Sequence, residues 1–243
     1  MARTEYYDDP DAPEPNRLVV AASAVVTDAE GRILLQRRTD NGLYALPGGT
    51  MDLGESLPGT AVREVRGLSA YTMAFIHGLL QTNDYASAVF ARSYPPLPSH
   101  EVDLRAAFRL RRQHIVRSEA TPFTAYIHEA ALRMQFGGAR IHAEQLGALV
   151  DVSGQSNISV RVVLFDADTI PLPNENFTYA EGPVQELDTV QDDSGVGNFL
   201  FDAPAHTARF RSLLAQIDSA ALTVGESRDF IRSIKKDMES KYV

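Results

Sequence analysis

Short apolar runs alternate with turn residues in the first part of the chain. The runs at 18–26 and 33–35 are rich in valine, isoleucine and leucine, and the turn cluster Asp28–Gly31 separates them. Two β-prone runs around a turn predict a β-hairpin over 18–37. A further short strand is predicted over 43–46, where Pro47-Gly48-Gly49 closes it.

The spacing of apolar residues changes after residue 55. Leu57, Ala61, Val62 and Val65 recur at helical intervals, which predicts a helix from Ser56 to about Arg66. Ser56 is a suitable N-cap, and the proline at position 58 falls in the first turn, where its missing N–H costs little. The glycine at position 67 is the predicted stop.

Beyond residue 70, helical and strand periods alternate in a way that predicts an α+β domain. Apolar spacing predicts helices over 101–117, 139–150, 204–221 and 226–241. Strands are predicted over 123–127, 160–165, 176–180, 184–189 and 198–201, the last four as an antiparallel meander. In the first of these helices, Leu104, Phe108 and Ile115 are expected on one apolar side.

Composition narrows the classes of function. The chain has 243 residues, no cysteine and a formal net charge of −9. Because phosphate-backbone binding depends on Lys and Arg, so acidic a chain is not expected to bind DNA directly. No apolar run approaches the roughly 18 residues of a membrane span, and residues 1–16, acidic and proline-rich, do not resemble a signal peptide. We therefore expect a cytoplasmic protein with a disordered segment at 1–16.

One motif carries candidate chemistry. Gly49 is followed after five residues by Glu55, and after seven more by Arg63-Glu64-Val65. With the hairpin and Leu46-Pro47-Gly48-Gly49 before it, this run over 17–69 resembles the first half of a Nudix hydrolase domain. The resemblance implies a loop and helix that hold Mg²⁺ or Mn²⁺ against a diphosphate.

The resemblance also implies a role for each matching residue. Glu64 would be a metal ligand, Glu55 would orient the site, Arg63 would pair with Glu55, and Gly48 and Gly49 would belong to the phosphate loop. On a helix, carboxylates at positions 64, 67 and 68 would share one face and converge on a hard cation. The chain instead has Gly67 and Leu68. Two of the three ligands are missing, which favours a solvated structural pair over a catalytic one, although Asp52 or a later carboxylate could refill the site.

A second resemblance covers about two-thirds of the chain. Residues 70–243 resemble the C-terminal domain, of unknown function, of helix-turn-helix regulators of the antitoxin-like type. The helix-turn-helix expected before that domain is absent, and the Nudix-like segment takes its place. The matching pieces occur in order along the chain: GLLQT at 78–82, RLRRQ at 109–113, EAALR at 129–133, Gly137-Gly138, Gln145-Leu146 and 158–165.

Other candidate residues have plain structural interpretations. Five arginines between Arg105 and Arg117 could form a basic patch for phosphate or nucleic acid, but a solvated helix face paired with nearby acids is favoured. The six histidines lack the i, i+4 pairing of a zinc helix and are expected at the surface or in caps. His128-Glu129 falls at a strand end, where a pocket could form.

Two hypotheses follow. The first is a non-catalytic regulatory protein that binds a small molecule or a protein partner, has no resident cofactor, and carries a degenerate Nudix segment. The second is a divergent Nudix-type hydrolase that cleaves a nucleoside diphosphate linked to another group and depends on Mg²⁺ or Mn²⁺. A gene fusion without joint function stays open. The expected fold is a β-hairpin and Nudix-like loop-helix packed on an α+β domain, with a possible homodimer through the apolar faces of the Nudix-like segment.

Overall fold

The computed structural model divides the chain into two units, residues 1–64 and 65–243. Residues 65–69, which we expected in the Nudix-like segment, thus belong to the second unit. The structure describes residues 21–23, 36–37, 44–45, 48–50, 65–117, 121–167, 176–194 and 197–240.

The first unit contains two short antiparallel strand pairs. Strand β1 (Ala21–Ser23) pairs with β4 (Gly48–Thr50), and β2 (Gln36–Arg37) pairs with β3 (Tyr44–Ala45). Most of the predicted hairpin over 18–37 lies outside the described residues. Its two described parts, β1 and β2, pair with β4 and β3 and not with each other.

The second unit is built on one mixed sheet of six strands. These are β5 (Gly67–Thr72), β6 (Phe123–His128), β7 (Ile158–Val163), β8 (Asn176–Glu181), β9 (Thr189–Ser194) and β10 (Gly197–Phe201). They lie in the order β10-β9-β8-β5-β6-β7. Strands β5, β6 and β7 run parallel, while β8, β9 and β10 form an antiparallel meander. Strand β7, which was predicted to belong to the meander, lies at the opposite edge and pairs parallel with β6. The α+β class is confirmed.

Seven α-helices accompany this sheet in the described part of the chain. They are α1 (Asn83–Phe90), α2 (Ser99–Arg112), α3 (His114–Arg117), α4 (Glu129–Arg133), α5 (Ala139–Val152), α6 (Pro204–Ala220) and α7 (Val224–Ser240). None of the described helices is long and apolar enough to cross a bilayer.

The helices divide unequally between the two faces of the sheet. One face buries Ala70, Phe123 and Val160 under side chains from helices such as α1, α5 and α7. The other buries Tyr71 and Phe177 under α6. We call these the multi-helix face and the α6 face. Since side chains alternate along a strand, neighbours such as Ala70 and Tyr71 contribute to opposite cores.

Strand β5 was missed by the sequence analysis and is central to the sheet. It pairs with β6 on one side and β8 on the other, and Ala70 and Tyr71 are 1% and 0% exposed. Its sequence, GLSAYT, has small residues in place of a β-branched run, so its strand character comes from being paired on both sides.

Strand β5 also corrects the predicted helix at 56–66. Val65 and Arg66 are not helical, and Gly67 begins a strand and does not end a helix. The Arg66 N–H donates to Glu181 O at 2.8 Å, which directs the chain into the sheet. The rest of the predicted helix, residues 56–64, lies outside the described residues.

Two other predictions are also corrected. The predicted strand at 184–189 is largely a 3-10 turn at Gln185–Leu187, and the strand begins only at Thr189. The predicted helix over 101–117 breaks at Gln113, and its buried side is wrong. Leu104 and Phe108 are 67% and 61% exposed, whereas Val102 and Ala106 on the opposite side are buried.

The two glycines before α5 are required by geometry. Gly137 and Gly138 have φ of +76° and +87°, a region that L side chains rarely adopt. At Gly137, an added Cβ would also lie 2.9 Å from the Cβ of Ala88. The positive φ values turn the chain sharply into α5, and the close approach leaves no room for a side chain at Gly137.

Candidate functional site

The structure covers only part of the predicted Nudix site. Glu55, Arg63 and Glu64 lie outside the described residues, so their assigned roles stay predictions. Gly48 and Gly49 lie in β4, opposite Ser23 and Ala22 of β1. Their role in a phosphate loop is likewise a prediction.

The two positions where the Nudix motif would place further carboxylates are well defined. Leu68 is paired with Phe123 of β6 and Ala180 of β8, and it packs partly against the core of the multi-helix face. An added Cβ at Gly67 would lie 3.3 Å from the Glu181 carboxylate. A strand turns successive side chains to opposite faces, so residues 67 and 68 do not share one face as neighbours on a helix can.

The most elaborate polar arrangement in the described chain surrounds the turn His77–Thr82. A 3-10 turn at Gly78–Leu80 begins with His77, whose Nδ1 accepts from the Leu79 N–H at 3.3 Å. Thr82 then caps α1, because its Oγ1 accepts from the Tyr85 N–H at 3.4 Å. The turn therefore joins the loop after β5 to the start of α1.

Three buried glutamines hold this turn, and we call them the glutamine clamp: Gln81, Gln113 and Gln145. Gln81 Nε2 donates to Ile76 O at 2.6 Å. Gln113 Nε2 donates to Gly78 O at 3.0 Å and to Gln81 O at 2.7 Å.

Gln145 completes the clamp from α5. Its Nε2 donates to Leu80 O at 2.8 Å, and its Oε1 accepts from the Thr82 N–H at 2.7 Å. The three side chains are at most 1% exposed, so the clamp satisfies main-chain groups that would otherwise be buried without partners.

Two arginines of the predicted basic patch support the clamp. Arg109 Nη1 donates to Gln81 Oε1 at 2.8 Å, and its guanidinium lies 4.1 Å from the centre of the Phe90 ring. Arg117 Nη2 donates to Gln113 Oε1 at 2.7 Å. Arg105 instead pairs with Glu101 one turn earlier in α2. The cluster is therefore partly a support for the turn and partly a solvated helix face.

His77 connects the turn to the sheet. Its Nε2 lies 3.1 Å from Thr178 Oγ1 of β8, and its ring packs on Phe123. Burial, together with the nearby positive charges of Arg109 and Arg112, lowers the pKa of His77 to about 3. A neutral imidazole is consistent with an Nδ1 that accepts a hydrogen bond.

The predicted site at His128-Glu129 has a structural role in the described chain. His128 Nδ1 accepts from the Ala130 N–H at 3.2 Å and so caps α4. Glu129 pairs with Arg133 at 2.7 Å and accepts from the Phe165 N–H at 3.1 Å. Burial lowers the pKa of His128. Both carboxylate oxygens of Glu129 are thus engaged in holding α4 and the chain after β7.

The α6 face carries two clusters of a different kind. Tyr179 and Asp188 are hydrogen-bonded at 2.5 Å, and Arg211 of α6 donates to both. Near the other end of α6, Tyr126 donates to Asp218 at 2.6 Å, and Arg161 forms an ion pair with the same carboxylate. Burial raises the pKa of Tyr179 to about 12, and the bond to Asp188 acts in the same direction.

In chemical terms, the amide groups of the glutamine clamp are bound to the main chain and to arginines of the same chain. No group of three or more potential metal-binding side chains occurs among the described residues. All three glutamines lie in segments that carry the second resemblance, but no role for them follows from the sequence. Gln113 is flanked by Arg112 and His114, and no local pattern marks it as buried.

These features define an α+β domain with a six-stranded mixed sheet and a clamped turn after its central strand. The chain belongs to the family described as a domain of unknown function, DUF5753, whose model matches residues 60–233. No curated protein and no solved structure matches the chain significantly. The family match begins within the segment that we assigned to the Nudix resemblance, and it includes Arg63 and Glu64.

Proposed function

We propose that this chain is a non-catalytic regulatory protein whose second unit binds a small molecule or a protein partner. In this proposal residues 17–69 include a degenerate Nudix-like segment, and the second unit is of the type found in antitoxin-like regulators. No resident metal, no direct contact with DNA and a cytoplasmic location are parts of the same proposal.

The observation that carries the proposal is the position of Gly67 and Leu68 in β5. Hard cations such as Mg²⁺ require several oxygen ligands in a fixed arrangement. The Nudix motif supplies them from one helical turn, whereas here the corresponding backbone is extended and paired on both sides. Substituting carboxylates at 67 and 68 would therefore not restore the motif.

The family boundaries give further support. Residues 60–66 lie within the match to the DUF5753 family, although their sequence also fits the Nudix motif. Arg63-Glu64-Val65 would then serve as the approach to the central strand of that domain. The regulatory role itself is supported by the resemblance of residues 70–243 to the C-terminal domain of regulators.

A hydrolysis assay separates this proposal from the divergent hydrolase. The full chain is incubated with a panel of nucleoside diphosphate derivatives and Mg²⁺ or Mn²⁺, beside the variants Glu64→Gln and Glu186→Gln, the second at an exposed position. We expect no turnover above background. Metal-dependent turnover near or above ~1 s⁻¹, lost in Glu64→Gln and kept in Glu186→Gln, would establish the hydrolase instead.

A further inference from the structure

The two edge strands of the six-stranded sheet differ in how their outward main-chain groups are covered. At the β7 edge, the Val162 N–H donates to Ser227 Oγ at 2.9 Å, and Val162 O accepts from the Leu222 N–H at 2.8 Å. Arg161 Nε donates to Leu222 O at 2.9 Å on the same edge. The chain that leads into α7 thus occupies main-chain groups that another strand would otherwise use.

The β10 edge has no such cover among the residues that the structure describes. Strand β10 pairs with β9 on one side, and the described sheet ends there. Its sequence, GNFLF, contains no charged residue and no proline. Phe199 and Leu200 are 47% and 72% exposed and, as neighbours in a strand, point to opposite faces. Natural edge strands are normally protected by charges, proline, a bulge or a cover.

We propose that β10 pairs antiparallel with β10 of a second copy of this chain, so that a two-fold symmetric dimer joins the two sheets. Two copies of a chain with net charge −9 repel each other, and an uncharged strand is where they can approach closely. With the two-fold axis at Leu200, this residue lies against Leu200 of the second copy, and Phe201 lies against Phe199. An isologous contact of this type closes on itself.

The antiparallel direction also separates the acidic residue that follows β10 from its copy in the second chain. Asp202 follows β10 directly, and the two Asp202 residues would lie at opposite ends of the paired strands. With the axis at Leu200 they are four residues apart, about 14 Å along the strand direction. At physiological ionic strength, where screening acts over about 8 Å, their repulsion is small.

The size of the contact sets its strength. A five-residue strand is about 17 Å long, so one such pairing buries less than the roughly 1,000 Å² expected of a stable interface. We therefore expect a reversible dimer with a Kd on the order of 10–100 µM. This inference concerns a surface of the second unit and does not depend on the proposed function.

Sedimentation equilibrium of the full chain tests the proposal, with concentrations from about 1 µM to 1 mM to bracket that Kd. For the wild type, the weight-average mass should rise from 26.7 kDa towards twice that value. Leu200→Lys, which adds a charge at the axis, should weaken association at least about tenfold. Leu104→Lys is the matched control, because Leu104 on α2 is 67% exposed and should associate as the wild type does.

Hydrogen exchange gives a second readout that a change in folding would not imitate. Alternate amides of β10 bond to β9, and the others point away from it. In the wild type, the β10 amides that point away from β9 should exchange more slowly as the protein concentration rises. A wild type that stays monomeric at 1 mM would overturn the proposal, as would a dimer that Leu200→Lys leaves intact. If the outward-pointing amides are protected equally at all concentrations, the same chain covers this edge, which also overturns the proposal.

Discussion

The two faces of the sheet use polar side chains in different ways. On the multi-helix face, the neutral amides of Gln113 and Gln145 donate to main-chain carbonyls of one turn. On the α6 face, the carboxylates Asp188 and Asp218 bind tyrosine and arginine side chains. The first arrangement fixes the path of the backbone, whereas the second attaches a helix to a sheet.

The difference has an energetic consequence. Main-chain carbonyls of the clamped turn are buried and lose their partners if a glutamine is removed, which costs the full desolvation of each group. Asp218 has 52% of its side chain exposed, so water can replace a lost partner there, whereas Asp188 is only 7% exposed. The turn should therefore be more sensitive to substitution than the cluster around Asp218.

The largest loss of stability is expected for Gln113→Leu. This change removes the donor to Gly78 O and Gln81 O; Gly78 O keeps the Gln81 N–H at 3.5 Å, but the buried Gln81 carbonyl loses its side-chain donor, so the free energy of unfolding should fall by about 2 kcal/mol. Urea denaturation at pH 7 measures it. The control Gln216→Leu, at an exposed position on α6, should change the value by less than about 0.5 kcal/mol. Equal effects of the two changes would contradict the role of the clamp.

A smaller effect is expected from a matched pair of tyrosines on the α6 face. Tyr126→Phe loses the bond to Asp218 and should lower the free energy of unfolding by about 1 kcal/mol. Tyr71 is fully buried, and its hydroxyl has no hydrogen-bond partner among the residues that the structure describes, so Tyr71→Phe should be neutral or stabilising. The same denaturation experiment compares them. A larger loss for Tyr71→Phe than for Tyr126→Phe would show that the hydroxyl of Tyr71 is bound.

At neutral pH, the smallest effect on the free energy of unfolding is expected for His77, and this effect becomes larger as the pH falls. Because the pKa of His77 is lowered to about 3, the unfolded chain binds a proton below about pH 6.5 that the folded chain does not. The folded state should therefore lose stability as the pH falls from about 6.5 towards 3. His128 and His142, whose pKa values burial also lowers, act in the same direction.

His77→Asn isolates the part due to this residue. The asparagine Oδ1 can still accept from the Leu79 N–H but does not titrate, so the dependence of the unfolding free energy on pH should become weaker between pH 6.5 and 3. The control variant is His100→Asn, at an exposed position in the first turn of α2. If the free energy of unfolding depends on pH in the same way in wild type and His77→Asn below pH 6.5, the structural role of the neutral imidazole is contradicted.

Several elements were accessible from sequence because their signals are local. The helices over 139–152, 204–220 and 224–240 and the strand at 123–128 were predicted within a few residues of their observed ends. Strand β5 was missed because GLSAYT lacks a β-prone run and becomes a strand through pairing on both sides. The buried side of α2 was assigned wrongly because Leu104 and Phe108 are apolar but face away from Val102 and Ala106.

The glutamine clamp shows the same limit at the level of the site. Gln81, Gln113 and Gln145 are separated by 32 residues or more in sequence, and nothing local distinguishes them from surface glutamines. Only the packing of α2 and α5 against the turn brings their amides to its carbonyls. The position of Gly67 and Leu68 in a strand was equally hidden, because the preceding motif favoured a helix.

The sequence by itself determined the α+β class, most of the helices and the absence of carboxylates at positions 67 and 68, because these depend on residue type and on spacing within one segment. The tertiary structure decided which strand is central, which side of α2 is buried, and that three distant glutamines share one turn. These depend on pairing and burial between segments far apart in the chain, and a periodic pattern contains no information about its partner.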